Sequence, residues 1–263
     1  MHHILVPIGS TESARNTLQF AIDFAAEIQA KIFVFRAYSS FSKAGTMINI
    51  DSIIERETNL YIKTLLNTVD TKDVEIKMIS AKGNVVESVL SIDEEIGIDL
   101  IILGAKSNSI RQEIFLGKTA GSLVKRTELP MLTVPDGYKF VPIKSILMAF
   151  KSGIVKKRAS LKPLQFIVEN FKAKVDILLV KTPNYTEEDM QLDKAVDKLK
   201  SSLTITENAT TFQGVLEHIN SFNPGLLCVF RRKRGFFMKL WEKSTILKSE
   251  FYTNVPLLII KGK

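Results

Sequence analysis

The hydrophobic residues of this chain fall into short apolar runs, and the stretches between these runs have helical spacing. The first run, residues 3–8, precedes a stretch that places Ala14, Leu18 and Ala25 on one helical face. Apolar runs that alternate with amphipathic helices are typical of a parallel sheet covered on both faces. The first half is therefore predicted to be α/β, with strands at 3–8, 31–39, 75–80, 99–105 and 130–135.

The same order of runs repeats in the second half. Ile146 repeats Ile4 and Pro256 repeats Pro130, so the second copy is about 16 residues shorter and has lost them from its middle. A repeat of this length indicates a duplicated domain rather than a solenoid. We expect two flavodoxin-like or Rossmann-like α/β domains with open parallel sheets, at 1–139 and 140–263. The strands predicted for the second are 144–150, 174–183, 223–230 and 255–261.

Charge divides the halves, and cysteine usage indicates a compartment. Residues 1–139 carry 15 Lys and Arg against 17 Asp and Glu, whereas residues 140–263 carry 21 against 11. Such an asymmetry indicates modules with different partners. The single cysteine, Cys228, lies in an apolar run, which favours a structural thiol and a reducing compartment. No stretch predicts a signal peptide or a membrane span, so we expect a cytoplasmic protein.

The tripeptide Gly117-Lys118-Thr119 has the sequence that ends a phosphate-binding P-loop. That loop requires another glycine five residues before Gly117, directly after a strand, and this chain has Gln112 there. The P-loop interpretation therefore fails. A strand ending in Gly104, a loop of about a dozen residues and a helix opening at Gly117 instead predict an anion site, since a helix N-terminus offers unpaired amides. Lys118 would oppose the helix dipole unless an anion lies nearby.

The chain resembles the universal stress protein family. "ILVPIGSTES", "DLIILG" and "LPMLTVP" are similar to its first, fourth and fifth strands, and the second half follows the same order. The family's nucleotide loop reads glycine, two residues, glycine, nine residues, glycine, then serine or threonine. Gly104 and Gly117 match the first and third glycines. Ser107 stands at the second, and Lys118 takes the hydroxyl position, with Thr119 one place later.

This resemblance implies a tandem universal stress protein with ATP or AMP bound in the first domain, and Mg²⁺ only as a companion of the nucleotide. The family's aspartate after the first strand is Gly9 here, and the second-strand residue facing the adenine is Ala37. The second copy departs further. The corresponding positions there hold Lys151, Val180, Phe230, Lys233, Lys243 and Ser244, and only the serine is retained. We therefore expect nucleotide in residues 1–139 only.

Three features have an alternative explanation. Gly104 and Gly117 are also explained by turns that need left-handed dihedrals. Arg36, at the end of the second strand, either reaches the same crevice or is simply solvated. The basic run Arg231–Arg234 is either a solvated loop or a surface for a polyanion, an acidic partner or an anionic membrane.

The residues predict no catalytic constellation and no metal site. His2, His3 and His218 have no companions at ligand spacing. The function expected is therefore that of a non-enzymatic stress-response protein. The alternatives are an ATP- or AMP-binding sensor with slow hydrolysis, and an adaptor whose basic second half docks an acidic partner.

The final strand of each half is short, apolar and close to a sheet edge, which invites pairing with another chain. Single-domain universal stress proteins, as the resemblance implies, form homodimers through this strand. We expect Met131–Val134 and Pro256–Ile260 to pair antiparallel in one chain, packing the halves as a pseudo-twofold internal dimer. A homodimer of the intact chain is the alternative.

Overall fold

The computed structural model describes residues 1–9, 13–39, 50–108, 113–115, 117–155, 157–231 and 255–261. The chain divides into two units that are not simply its two halves. The first contains residues 1–104, 116–129 and 136–140, and the second contains 105–115, 130–135 and 141–263.

The first unit is an α/β layer structure in which every strand pair is parallel. Its sheet has the order β4-β1-β2-β3, so the chain reverses its direction of travel between β1 and β4. Its strands are β1 (His3–Pro7), β2 (Lys31–Tyr38), β3 (Ile76–Lys82) and β4 (Leu100–Gly104), and its helices are α1 (Ser13–Ile28), α2 (Ile50–Leu66), α3 (Val85–Ile96) and α4 (Gly117–Arg126).

The second unit repeats this arrangement and adds one antiparallel strand. The order is β10-β9-β8-β11-β12, all parallel, with β7 antiparallel to β12; β5 and β6 form a separate hairpin. The elements are β5 (Lys106–Asn108), β6 (Glu113–Phe115), β7 (Met131–Val134), β8 (Ser145–Phe150), α5 (Lys162–Phe171), β9 (Lys174–Lys181), α6 (Lys194–Asp197), β10 (Ser202–Glu207), α7 (Thr211–Phe222), β11 (Leu226–Arg231), β12 (Leu257–Lys261), and 3₁₀ turns at Arg158–Leu161 and Glu187–Met190.

The local sequence explains where the helices begin and end. The Asn84 side chain accepts a hydrogen bond from the Val86 amide at 2.8 Å and so caps α3. Thr210 caps α7 in the same way, and Asn223 ends that helix in a left-handed conformation with φ 43°. The apolar face predicted for the first helix is buried: Ala14, Leu18, Ala21, Ile22 and Ala25 all lie against the sheet side of α1.

The second copy is shorter because its helix between the second and third strands is almost lost. α2 has 17 residues, whereas α6 has 4. β10 and α7, which the apolar runs did not predict, complete the repeat. Without a long helix above it, β10 leaves Leu203 and Ile205 exposed.

A segment that follows β7 returns to the first unit. The Phe140 ring meets the rings of Phe20 and Phe24 edge-on, with centroids 5.4 Å and 5.9 Å away, and Tyr138 lies against Phe20. Burial raises the pKa of the Tyr138 hydroxyl. The two aromatic residues of this segment, Tyr138 and Phe140, are half-buried and therefore pack on the aromatic residues of α1.

Candidate functional site

The carboxyl ends of three neighbouring strands bring three of the predicted site residues together. Pro7 pairs with Phe35, and Leu5 pairs with Ile101, so Gly9, Ala37 and Gly104 follow at the same edge of the sheet. β1 lies between β2 and β4, and the chain reverses direction beside it. In open α/β sheets this reversal is where a ligand crevice forms.

Gly104 lies where a side chain would collide with α1. A Cβ atom on Gly104 would stand 2.5 Å from Thr17 Oγ1 and 3.7 Å from Ser13 Oγ. The glycines with positive φ in the described part of the chain are Gly83, Gly97 and Gly137. The left-handed explanation of Gly104 is therefore wrong, and close packing against Thr17 accounts for the residue.

A tyrosine that the sequence did not single out links the loop after β1 to the end of β2. The Tyr61 hydroxyl, on α2, donates a hydrogen bond to the Gly9 carbonyl oxygen at 3.0 Å. The Arg36 guanidinium carbon lies 3.7 Å from the centre of the Tyr61 ring. Arg36 is half-buried rather than simply solvated, and its Nη1 atom is buried with no hydrogen-bond acceptor among the described residues.

The other predicted site residues lie on two different elements. Gly117 is the first residue of α4, Lys118 follows it, and Thr119 is exposed. Ser107 lies in β5, opposite Ile114 of β6, in the second unit. The segment after Gly104 was expected to be an irregular loop, but its described residues form this short antiparallel hairpin. The side chains of Ser107 and Lys118 lie outside what the structure describes.

In the second unit, two phenylalanine rings occupy the corresponding reversal between β8 and β11. Phe150 ends β8, and Phe230 stands where the first copy has Gly104. Their ring centroids are 5.9 Å apart, and the side chains are 3% and 4% exposed. A ligand cannot approach the backbone there without displacing both rings.

Two further ligand positions of the second unit, Val180 and the loop that carries Lys151, also pack against other parts of the chain. Val180 is fully buried, and a Cβ on Gly214 of α7 would lie 2.7 Å from its Cγ2. After β8, the Gly153 amide donates to the Asp189 carbonyl oxygen at 2.8 Å, and the Asp193 amide donates to the Gly153 carbonyl oxygen at 3.0 Å. These two bonds hold the loop that carries Lys151 against the segment around Glu187–Met190.

An ionised carboxylate secures the same loop. Burial alone would raise the pKa of Asp189, but hydrogen bonds from Ser152 and Thr186, with the Lys151 charge nearby, leave that pKa below its usual value. Among the described residues of the first unit, no carboxylate holds the loop after β1 in this way, and Gly9 there is exposed.

Of the basic run, the structure describes only Arg231. It ends β11 opposite Lys261 of β12, and partial burial lowers the pKa of its guanidinium. Lys233, Lys243, Ser244 and the rest of Arg231–Arg234 lie outside the described residues. Cys228 is fully buried in β11, and burial raises the pKa of its thiol, which makes it a structural thiol.

Within the described ranges, no group of three or more His, Cys, Asp or Glu side chains is arranged to hold a metal ion. None of the helices in that part of the chain is long and apolar enough to cross a membrane.

Two α/β units built on one repeated strand order, with a chain reversal beside the first strand of each, define a flavodoxin-like class of fold. Residues 1–135 match the universal stress protein family, just over half of the chain, and the chain belongs to that family. Because the strand order of the first unit returns in the second, it is a tandem member.

Solved structures show the same fold over the whole chain. A universal stress protein from Archaeoglobus fulgidus matches with a TM-score of 0.73 at 16% identity, covering 99% of this chain and 98% of its own. A functionally unknown protein from Pseudomonas aeruginosa PAO1 matches with a TM-score of 0.59 at 12% identity, covering 100% and 93%. No curated protein matches this sequence.

Proposed function

We propose that this universal stress protein binds an adenine nucleotide, ATP or AMP, in its first unit only, and that its second unit is a closed copy. The observation that carries the proposal is the contrast between the two chain reversals. The Phe150–Phe230 pair fills the second, whereas the matching positions of the first include Gly104 and the exposed Gly9, which carry no side chains.

The first unit offers the chemistry that a phosphate chain requires. Gly117 opens α4, whose first amides have no partner within the helix, and a helix N-terminus favours negative charge. α4 has no acidic residue in its first turn, and Lys118 adds a positive charge there. In our proposal Gly9 and Ala37 face the nucleoside, Gly104 and Gly117 allow close approach, and Lys118 and Thr119 contact phosphate. Mg²⁺ would accompany the nucleotide rather than occupy a site of its own.

We propose binding without turnover, because the described ends of β1, β2 and β4 bring no base and nucleophile together. Gly9 stands where family members that bind ATP carry an aspartate, which removes one acid from the crevice. We place the protein in the cytoplasm because its one cysteine is a buried thiol.

Calorimetric titration of the full chain with ATP and AMP tests the proposal. Gly117→Val should weaken binding about tenfold or more, because a branched side chain crowds the amides facing phosphate. The matched control, Lys243→Ala, changes the position that corresponds to Gly117 in the second copy and should leave affinity unchanged. Saturable binding that survives Gly117→Val, or no binding at all, would refute the proposal.

The charge asymmetry favours a second candidate, an adaptor whose second half docks an acidic partner. Residues 140–263 carry 21 Lys and Arg against 11 Asp and Glu. Within this proposal the final strands of the two halves hold the chain together, as the pairing of β7 with β12 supports. Release of inorganic phosphate from ATP would instead identify the slowly hydrolysing sensor.

A further inference from the structure

Arg36 is held in one orientation by an aromatic ring. It stands two residues before the end of β2, and its guanidinium carbon lies over the Tyr61 ring, 3.7 Å from the ring centre. Tyr61 is itself fixed, because its hydroxyl donates to the Gly9 carbonyl oxygen at 3.0 Å. A stacked guanidinium loses little conformational freedom when it binds a ligand, so this arginine is preorganised.

The same arginine has an unused donor. Its Nη1 atom is buried from solvent, and no acceptor among the described residues reaches it. A buried charged group without a hydrogen-bond partner is costly, and such a group in a native structure calls for a partner. An arginine fork binds carboxylate or phosphate oxygens through two parallel N–H bonds.

The neighbouring charges leave Arg36 available. Arg36 takes part in none of the ion pairs that the structure describes in the first unit. Three of them join Lys31 to Glu75, Lys72 to Asp23 and Lys82 to Asp51. Gly9 replaces the aspartate of the nucleotide-binding pattern, so no carboxylate stands at that position to neutralise the guanidinium. This end of the crevice therefore favours an anion.

We infer that Arg36, stacked on Tyr61, is an oxyanion-binding residue of the first unit and takes a phosphate group. This goes beyond adenine recognition, because the geometry requires only phosphate oxygens. Free phosphate and the phosphate of a nucleotide share this chemistry. The Gly117 amides, on another element of the unit, are not needed for it.

The test is calorimetric titration of the full chain at low ionic strength with inorganic phosphate, AMP and adenosine. We expect saturable binding of phosphate or AMP that Arg36→Gln weakens about tenfold or more, the loss typical of a charge-assisted hydrogen bond. Arg36→Lys should recover only part, because an ammonium keeps the charge without the planar fork. The matched control is Arg15→Gln; this arginine of α1 donates to the Thr68 carbonyl oxygen at 2.9 Å and should change affinity less than twofold.

The ligands separate the two sources of phosphate. If the protein binds AMP tightly and free phosphate weakly, the ligand is a nucleotide; if the two affinities are equal, the ligand is free phosphate. Arg36→Gln should leave the affinity for adenosine unchanged. If circular dichroism shows that Arg36→Gln does not fold, Tyr61→Leu replaces it in the test. Tyr61→Leu removes the ring beneath Arg36 and should weaken phosphate binding several-fold. The inference is wrong if neither anion saturates, or if Arg36→Gln has no more effect than Arg15→Gln. Phosphate binding without any preference for AMP would retain Arg36 and remove the nucleotide proposal alone.

Discussion

Leu258 lies directly opposite Leu132 where β12 runs antiparallel to β7. Both side chains are fully buried, so this pair joins the final strand of the second sequence half to that of the first. The strand pairing is the one predicted from the sequence. It also explains why β7 belongs to the second unit, while the expected domain boundary after residue 139 stays a prediction.

Leu258→Lys should destabilise the protein by about 3 kcal/mol or more, because the ammonium would be buried beside Leu132 without a partner. Urea denaturation measures the loss. The control is Ile205→Lys on β10, where the side chain is 49% exposed and the change should stay within about 0.5 kcal/mol. Residues 1–139 and 140–263 made separately should self-associate through the uncovered strands. Two soluble monomers would contradict the internal pairing.

Gly104→Ala should cost about 1–3 kcal/mol, because the added methyl would meet Thr17 Oγ1. Thr17→Ala removes that oxygen, so the double variant should lose less than the sum of the single variants in a double-mutant cycle. If Gly104 serves packing alone, the double variant binds nucleotide as the parent does. Additive stability losses would show that Thr17 is not the obstacle.

Phe230→Ala should destabilise the second unit by about 3–5 kcal/mol, since it leaves a cavity beside Phe150. Phe222→Ala on α7, where the ring is only half-buried, should cost clearly less. Thermal unfolding of the two variants gives the comparison. Equal losses would mean that the Phe150–Phe230 contact does not anchor the second unit.

The hydrogen-bonded Asp189 carboxylate should make the stability of the protein depend on pH. Its pKa is lowered in the folded protein, so its contribution is present above the unfolded pKa of about 3.9 and is lost as pH falls through the folded value. Asp189→Asn should therefore lower the urea midpoint at pH 7 and make little difference at pH 2. A midpoint difference that is the same at both values would exclude this carboxylate as the cause.

Changing Arg231, Arg232, Lys233 and Arg234 to alanine should reduce retention on heparin. Binding by phosphate or sulfate neutralisation releases counterions, so the affinity of the parent should drop steeply between low and physiological salt. The control replaces four lysines of the first half. Unchanged retention of the alanine variant would remove this run as a polyanion surface.

Most strands that the sequence predicted are buried on both faces; β3, which was also predicted, is the exception, since none of its residues is buried. β4 and β11 read as continuous apolar runs, because helices cover both sides of the sheet there. β10 escaped prediction because its two apolar residues, Leu203 and Ile205, alternate with polar ones and point away from the core. The β5–β6 hairpin escaped as well, since strands of 3 residues each are too short to show a periodicity.

The sequence could predict features of the candidate site only at positions where the presence or absence of a side chain decides access to the backbone. Glycine at 104 and phenylalanine at 230 predicted that the two copies differ at this position, because a side chain either is or is not present there. The contacts of Arg36 with Tyr61 and of Tyr61 with Gly9 join residues far apart in the chain. No local pattern contains such contacts, so the sequence alone leaves both explanations of Arg36 open. The packing of α2 against β2 distinguishes them.

The position of β12 has a consequence during synthesis. This strand lies between β11 and β7, and it comes from residues 257–261, while β7 comes from residues 131–134. β7 therefore emerges from the ribosome long before its partner strand β12 has been synthesised. Until β12 emerges, β7 and β11 each lack their neighbour, and nascent chains with exposed strand edges are prone to misassembly. Chaperone demand should thus be concentrated in the interval between translation of the two strands.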